Sequence, residues 1–405
     1  MKNYTVTSLL ALAAATAVTR AGTTPSPEIA AATEAPWITP LIDVRLRYEF
    51  ADIDGLDPAH ALTLRERIGF KTKAWNGFSV LAEGEFTQAA IDDYHGGAPG
   101  VDPFDPRNSV IADPENEELN QAYLQYAGFD TTVRLGRQRI IYDNAAFIGN
   151  VGWRQNEQTY DAISFTNTSV GGLTLNYAYI EQVNRIFGED ATGIFENAPS
   201  EIHLINASYA GIKGLTLGGY IYLMEFEDAG STGWDNDTFG LSAKGSLGGL
   251  TLYGELAYQD KAGPLNDQEG LYAHVTATKA FGAQTLTFGI EHLDAGVQTP
   301  LATLHAFNGY ADATDARRLA GTHGGLTDTY ASYMVPIFWG MKWTNALHLF
   351  GDNAIGDDLG FGFDSVLAKK FDDHFTAIAK LGYFDTSDAL YKSTTRASVE
   401  LNYTF

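Results

Sequence analysis

Several charged side chains of this sequence are spaced to act together. Arg45 and Arg47, Arg65 and Arg67, Arg137 and Arg139, and Glu83 and Glu85 are pairs two residues apart, with Arg134, Lys380 and Arg396 as single cations. A spacing of two puts both members of a pair on one face of a β-strand. Guanidinium groups in such rows can hold carboxylates or phosphates through paired N–H donors, and rows of fixed charge select ions in pores. The same arginines facing Glu83, Glu85, Glu400 and Asp43 would equally form ion pairs that brace a polar interior. Bond-breaking chemistry has less support. Ser, His and Asp are dispersed without a triad pattern, although His305 shares a loop with Asp312 and Asp315. The nine histidines show no zinc spacing, and there is no cysteine. Asp92, Asp93, Asp102, Asp105, Asp113, Glu115, Glu117 and Glu118 offer hard oxygen donors to calcium, yet they lack EF-hand spacing and fit a solvated acidic loop. No cofactor or metal is expected.

The elements that must position these charges follow from a period of two along nearly the whole chain. At the C-terminal end Ala397, Val399, Leu401, Tyr403 and Phe405 alternate with Arg396, Ser398, Glu400, Asn402 and Thr404. Ile42, Val44, Leu46, Tyr48 and Phe50 likewise oppose Asp43, Arg45, Arg47 and Glu49. One such segment describes any half-buried strand. Eighteen of them, beginning near 39–50 and ending near 391–405, describe a closed antiparallel β-barrel, all-β and membrane-spanning, with one apolar and one wet face.

Composition agrees. Tyr (21), Phe (23) and Gly (42) are abundant and Met is scarce (4), and no apolar run approaches the roughly 18 residues of a membrane helix. The net charge of −24 argues against nucleic acid, whose binding requires neutralised phosphates.

Connections alternate in length. Trp75-Asn76-Gly77, Gly128-Phe129-Asp130, Gly248-Gly249 and Phe371-Asp372-Asp373 are tight and turn-like. The links at 91–116, 142–158, 184–199 and 295–326 are long and mostly acidic. Short periplasmic turns and long extracellular loops have this rhythm. Trp75, Trp339 and Trp343, beside short turns, suit an interfacial girdle. Residues 1–21 read as a secretory signal, with Lys2 before an apolar stretch and small residues after it. A periplasmic extension at 22–38 and the barrel at 39–405 follow. Bacterial outer-membrane lipid and lipopolysaccharide are then the surroundings, and terminal Phe405 resembles the signal read by the barrel-assembly machinery.

A basic residue on the lipid face costs about 2–4 kcal/mol at mid-membrane, so mid-strand cations should point inward. Arg45, Arg47, Arg65, Arg67, Lys380 and Arg396 have inward parity. Glu66 does not, and Arg137 and Arg139 share the parity of Val133 and Leu135 unless a bulge at Gly136 resets the register. Closure of the last strand on the first predicts that Arg396 and Lys380 join Arg45, Arg47, Arg65 and Arg67 at one height of the lumen, with Arg134 further round.

Two stretches carry a family resemblance. Leu135-Gly136-Arg137-Gln138-Arg139 leads through Asn144, Phe147, Trp153 and Arg154-Gln155-Asn156 to Thr159-Tyr160-Asp161-Ala162, and a second runs from Pro300 to Asp312 and on to Gly325–Tyr330. Both resemble the alginate-export family of outer-membrane porins. That resemblance implies an 18-stranded monomeric barrel whose electropositive constriction passes anionic polyuronate, with Arg137, Arg139 and Arg154 as pore or loop cations. The expected function is a channel for hydrophilic, anionic carbohydrate solutes. A barrel hydrolase and a structural or adhesive surface protein with a closed lumen are the competing functions.

Overall fold

The computed structural model describes residues 36–227, 232–262, 267–312, 324–352, 358–389 and 391–405. The signal segment 1–21 and nearly all of the 22–38 extension lie outside them. Eighteen antiparallel strands follow one another: β1 (Ile38–Ile53), β2 (Ala59–Thr72), β3 (Phe78–Asp93), β4 (Asn116–Gly128), β5 (Thr131–Gln138), β6 (Thr159–Asn167), β7 (Leu173–Asn184), β8 (Ala198–Ile212) and β9 (Leu215–Phe226). The second half comprises β10 (Asn236–Leu247), β11 (Leu250–Ala262), β12 (Gln268–Phe281), β13 (Gln284–Leu293), β14 (Leu326–Pro336), β15 (Lys342–Gly351), β16 (Asp358–Lys370), β17 (Phe375–Asp385) and β18 (Thr394–Thr404). Each pairs with its sequence neighbours, and β1 pairs with β18 from Asp43↔Thr404 to Ile53↔Thr394, which closes the barrel. Closure leaves no open edge, the condition for a sheet to stand in hydrocarbon.

The burial pattern is that of a membrane wall. Leu241, Leu347, Leu349, Phe288 and Val399 are exposed on the outer face, whereas Arg47, Arg65 and Glu85 have no exposure at all. Glu66 stays on the outer face between Val44 and Phe86, and nothing in the structure explains it. Replacing Leu256, which is 58% exposed on β11, with arginine is expected to destabilise the barrel by about 2–4 kcal/mol in lipid. Equilibrium unfolding in vesicles measures this, and a change near zero would put that side of β11 in water.

Charge is sorted along the barrel axis. Lys71, Lys73, Lys213, Lys244, Lys279, Lys342, Lys369 and Lys370 lie at the strand ends joined by short turns, the periplasmic end. Among the described residues, the long extracellular connections and the strand ends that flank them carry most of the carboxylates.

Three of those connections turn inward. The β3–β4 loop, the β5–β6 loop and the β13–β14 loop supply Tyr94, Ile111, Phe147, Ile148, Trp153, Val297 and Leu301, all buried. Phe147 crosses to pack on Tyr220 and edge-on against Tyr272, with centroids 5.6 and 5.0 Å away. Gly149 N–H donates to Leu301 O at 2.8 Å and Thr303 N–H to Ala145 O at 3.0 Å, tying two loops together inside the barrel. A side chain at Gly149 would strike Thr303, and one at Gly382 on β17 would strike the backbone of Tyr310 and Ala311. Glycine at these positions lets loop and wall approach closely.

Candidate pore constriction

The inward cations of β1, β2, β17 and β18 line one side of the lumen, but the register separates them. Arg45 lies opposite Arg65 and Asn402, and Arg47 opposite Thr63 and Glu400. Lys380 faces Ser398, and Arg396 faces Ala51 and Gly382. The expected single height is therefore corrected to a staggered ladder, because cross-strand partners fall on successive rungs.

Most rungs carry an acid. Arg65 pairs with Asp43, Arg67 with Glu85 and with Glu157 at 3.6 Å, and Arg47 with Asp113 and with Glu49 at 3.5 Å. Glu400 stands 4.0 Å from Arg45 and 3.9 Å from Arg47. Glu83 accepts from Asn120 and Gln121, both at 2.9 Å. Arg396 reaches Glu49 at 3.2 Å and the carbonyls of Ala311 and Val110 at 2.6 and 2.7 Å. The bracing reading of the charge rows thus holds for much of the ladder. Arg65 is incompletely satisfied, since its Nε and NH1 meet no acceptor among the described residues.

The two arginines of the Gly136 region part company. The β5 register shows no shift at Gly136, and Arg137 lies beside Asp161 on the side of exposed Leu135, held by Asp161 at 2.7 and 3.1 Å. Arg137 as a pore cation is corrected: strand alternation sends it to the outer wall near the extracellular rim. Arg139 follows the end of β5, escapes that alternation and pairs inward with Glu157. Arg134 faces inward over the Tyr123 ring at 5.2 Å and donates to Gln125 at 2.9 Å. No carboxylate lies within ion-pair distance of Arg134 among the described residues.

A cap over the ladder was not legible as such. Arg45 donates to the carbonyls of Gly152, Trp153 and Arg154 at 3.2, 2.8 and 3.1 Å, and Arg47 to Trp153 O at 2.6 Å. The Trp153 ring lies 3.5 Å from Lys380 Nζ and 4.4 Å from the Arg47 guanidinium carbon, and it stacks on His305 at 4.2 Å. Cation–π attraction is strongest on tryptophan in such desolvated settings. His305 Nδ1 is 2.7 Å from Asp312, and its Nε2 is 2.9 Å from Lys380 Nζ. The position at Nε2 that a serine nucleophile would need is taken by Lys380. Arg154 pairs with Asp312, and with Glu49 at 3.3 Å. In the acidic loop, Asp113 is engaged by Arg47 and the Gln155 N–H, Asp105 by Arg107, and Asp93 by Asn108.

Burial penalises the Asp113 charge, but Arg47 and Arg154 outweigh it and hold the carboxyl below its usual range. Burial likewise opposes ionisation of Asp312, and His305 and Arg154 reverse the effect. For His305 burial dominates; Lys380 and Arg154 reinforce it and Asp312 opposes it, so the imidazole falls from its ordinary 6.5 to about 3. The docked loop therefore refuses a proton that a released loop accepts. As pH falls below about 6.5 docking weakens by up to about 1.4 kcal/mol per unit, until the docked imidazole itself titrates near 3. Conductance is expected to rise between pH 7 and about 5, an interval in which ordinary carboxylates remain ionised. The His305→Gln variant should lose that response; its retention would assign the effect elsewhere.

No family model matches the sequence, and no curated protein does, so the alginate-export resemblance rests on the two quoted stretches. Solved structures match over nearly the full length. Acinetobacter baumannii OccAB4 superposes with a TM-score of 0.70 at 14% identity, covering 92% of this chain and 99% of that one. Pseudomonas aeruginosa OpdQ gives 0.69 at 12% identity, with 92% and 99% covered. The outer membrane protein OpdK from Pseudomonas aeruginosa gives 0.67 at 12% identity, with 91% and 99% covered. The chain has the fold of the 18-stranded outer-membrane porin barrels of Gram-negative bacteria.

Proposed function

We propose that this protein is a narrow outer-membrane channel for hydrophilic, anionic carbohydrate solutes of the uronate type. The observation that carries the reading is Arg65, wholly buried in the lumen wall with two guanidinium nitrogens lacking an acceptor among the described residues. Planar guanidinium groups match carboxylates in pairs, and an unmet buried donor is costly unless something accepts from it. Arg134, without a carboxylate partner among the described residues, extends the cationic path toward the periplasmic end of β5. On this reading Arg45, Arg47, Arg65, Arg67, Arg134, Arg139, Lys380 and Arg396 border the path, and Glu83 and Glu85 set the orientation of their neighbours. The resemblance to the alginate-export family supports the same solute class, and the fold shared with OccAB4, OpdQ and OpdK supports a channel. Planar-bilayer recording tests it. Galacturonate or alginate oligomers should block current at concentrations where neutral sugars do not, and equal block by both would overturn the anionic assignment.

A second reading, a surface protein with a closed lumen, draws on the cap of Gly152–Arg154 carbonyls over Arg45 and Arg47. It expects no ionic current in any state of the loops.

A further inference from the structure

The outer wall carries a groove that the solute path does not use. It lies at the periplasmic end, where β2, β3 and β4 meet the residues preceding β1, and has a volume of about 470 Å³. Ile38, Val80 and Leu124 form an apolar floor, with Trp37, Trp75 and Phe78 around it. All six are exposed, and Trp37 and Trp75 are 64% and 67% exposed. Lys73 stands at its edge with Nζ 5.7 Å from the centre of the Trp37 ring. Tryptophan and lysine together at a strand end mark the interface between hydrocarbon and headgroups.

The same charge recurs around the rim. Lys213 is exposed in the turn between β8 and β9, and Lys279 and Lys369 point outward near the periplasmic ends of β12 and β16. Lys369 donates to Trp339 O and lies 5.9 Å from the Phe371 ring. Among the described residues none of these four lysines has a carboxylate within ion-pair distance, although the protein as a whole carries a large acidic excess. Unpaired cations gathered at one end of an acidic membrane protein complement anionic headgroups at that end.

We infer that the periplasmic rim binds an anionic glycerophospholipid, with an acyl chain in the Trp37–Trp75–Leu124 groove and its phosphate beside Lys73, and that Lys213, Lys279 and Lys369 extend the same preference around the barrel. An acidic periplasmic protein is the alternative partner for such a rim, and lipid alone separates the two.

The full-length barrel is reconstituted at low ionic strength in phosphatidylcholine bilayers containing trace phosphatidylglycerol or phosphatidylcholine brominated on its acyl chains. Tryptophan emission reads contact with bromine. The expected result is severalfold stronger quenching by the brominated phosphatidylglycerol, declining as salt screens the headgroups. A combined Lys73→Gln, Lys213→Gln, Lys279→Gln and Lys369→Gln variant should lose that preference, while Lys261→Gln at the extracellular end keeps it. Trp37→Phe with Trp75→Phe should remove most of the selective component. Equal quenching by the two lipids in the native protein, or full preference in the four-lysine variant with its barrel intact by circular dichroism, overturns the assignment. A preference undiminished by loss of Trp37 and Trp75 overturns the groove.

Discussion

Replacing Trp153 with alanine is expected to raise single-channel conductance severalfold. The ring is held by Lys380, Arg47 and His305 at once, so its loss removes the surface on which the β13–β14 loop rests and opens space in front of the ladder. A buried aromatic cut to alanine costs about 3–5 kcal/mol of packing. Here that cost falls on loop docking, because the wall strands keep their ladder hydrogen bonds to each other. Trp153→Phe retains a flat apolar ring and should conduct much more nearly like the native protein. The measurement is step size in planar bilayers, with circular dichroism to verify that the barrel is formed. Unchanged steps in Trp153→Ala would mean that these loops do not limit the path.

Asp113→Ala should be strongly destabilising, by about 3 kcal/mol, because it leaves the buried Arg47 only the longer contacts to Glu49 and Glu400. Asp113 neutralises Arg47, stands 3.8 Å from Arg154 and accepts from the Gln155 N–H at 2.8 Å. Arg47 has no exposure through which water could replace that carboxylate. Proteolytic cleavage within the β3–β4 and β5–β6 loops, compared with global unfolding in denaturant, separates release of the cap from loss of the barrel. Adding Arg47→Met to Asp113→Ala should recover part of the stability, since Glu49 keeps Arg154 and Arg396 and Glu400 keeps Arg45. A loss below about 1 kcal/mol would indicate that water reaches Arg47.

How far the sequence could be read follows from the range of each interaction. Strand alternation is local, and a wall between lipid and water imposes it without interruption. All eighteen strands, the closure of β18 on β1 and the inward parity of Arg45 to Arg67 were accordingly legible. The split between Arg137 and Arg139 depends on where β5 stops, and strand ends are the least determined feature of a periodic pattern. The cap was hidden for a different reason. Arg45 meets Trp153, and Lys380 meets His305, across separations of 108 and 75 residues, and no local pattern records which loop folds back onto which wall. Trp153 stood in the stretch that carried the family resemblance, but its neighbours there disclosed nothing about Lys380. The acids of the network divide in the same way: Glu83, Glu85, Glu400 and Asp43 sit on strands and were foreseen, whereas Asp113 and Glu157 arrive on loops.

The ladder's remaining positive character, set against the acids that pair with it, is the point on which the channel reading stands. Reversal potential across a tenfold salt gradient measures it directly in the purified protein. A resolvable current with anion preference is expected, with a shift toward cations when Arg45, Arg47, Arg65 and Arg67 are changed together to serine. Cation preference in the native protein, or a reversal potential that ignores the four substitutions, would contradict it.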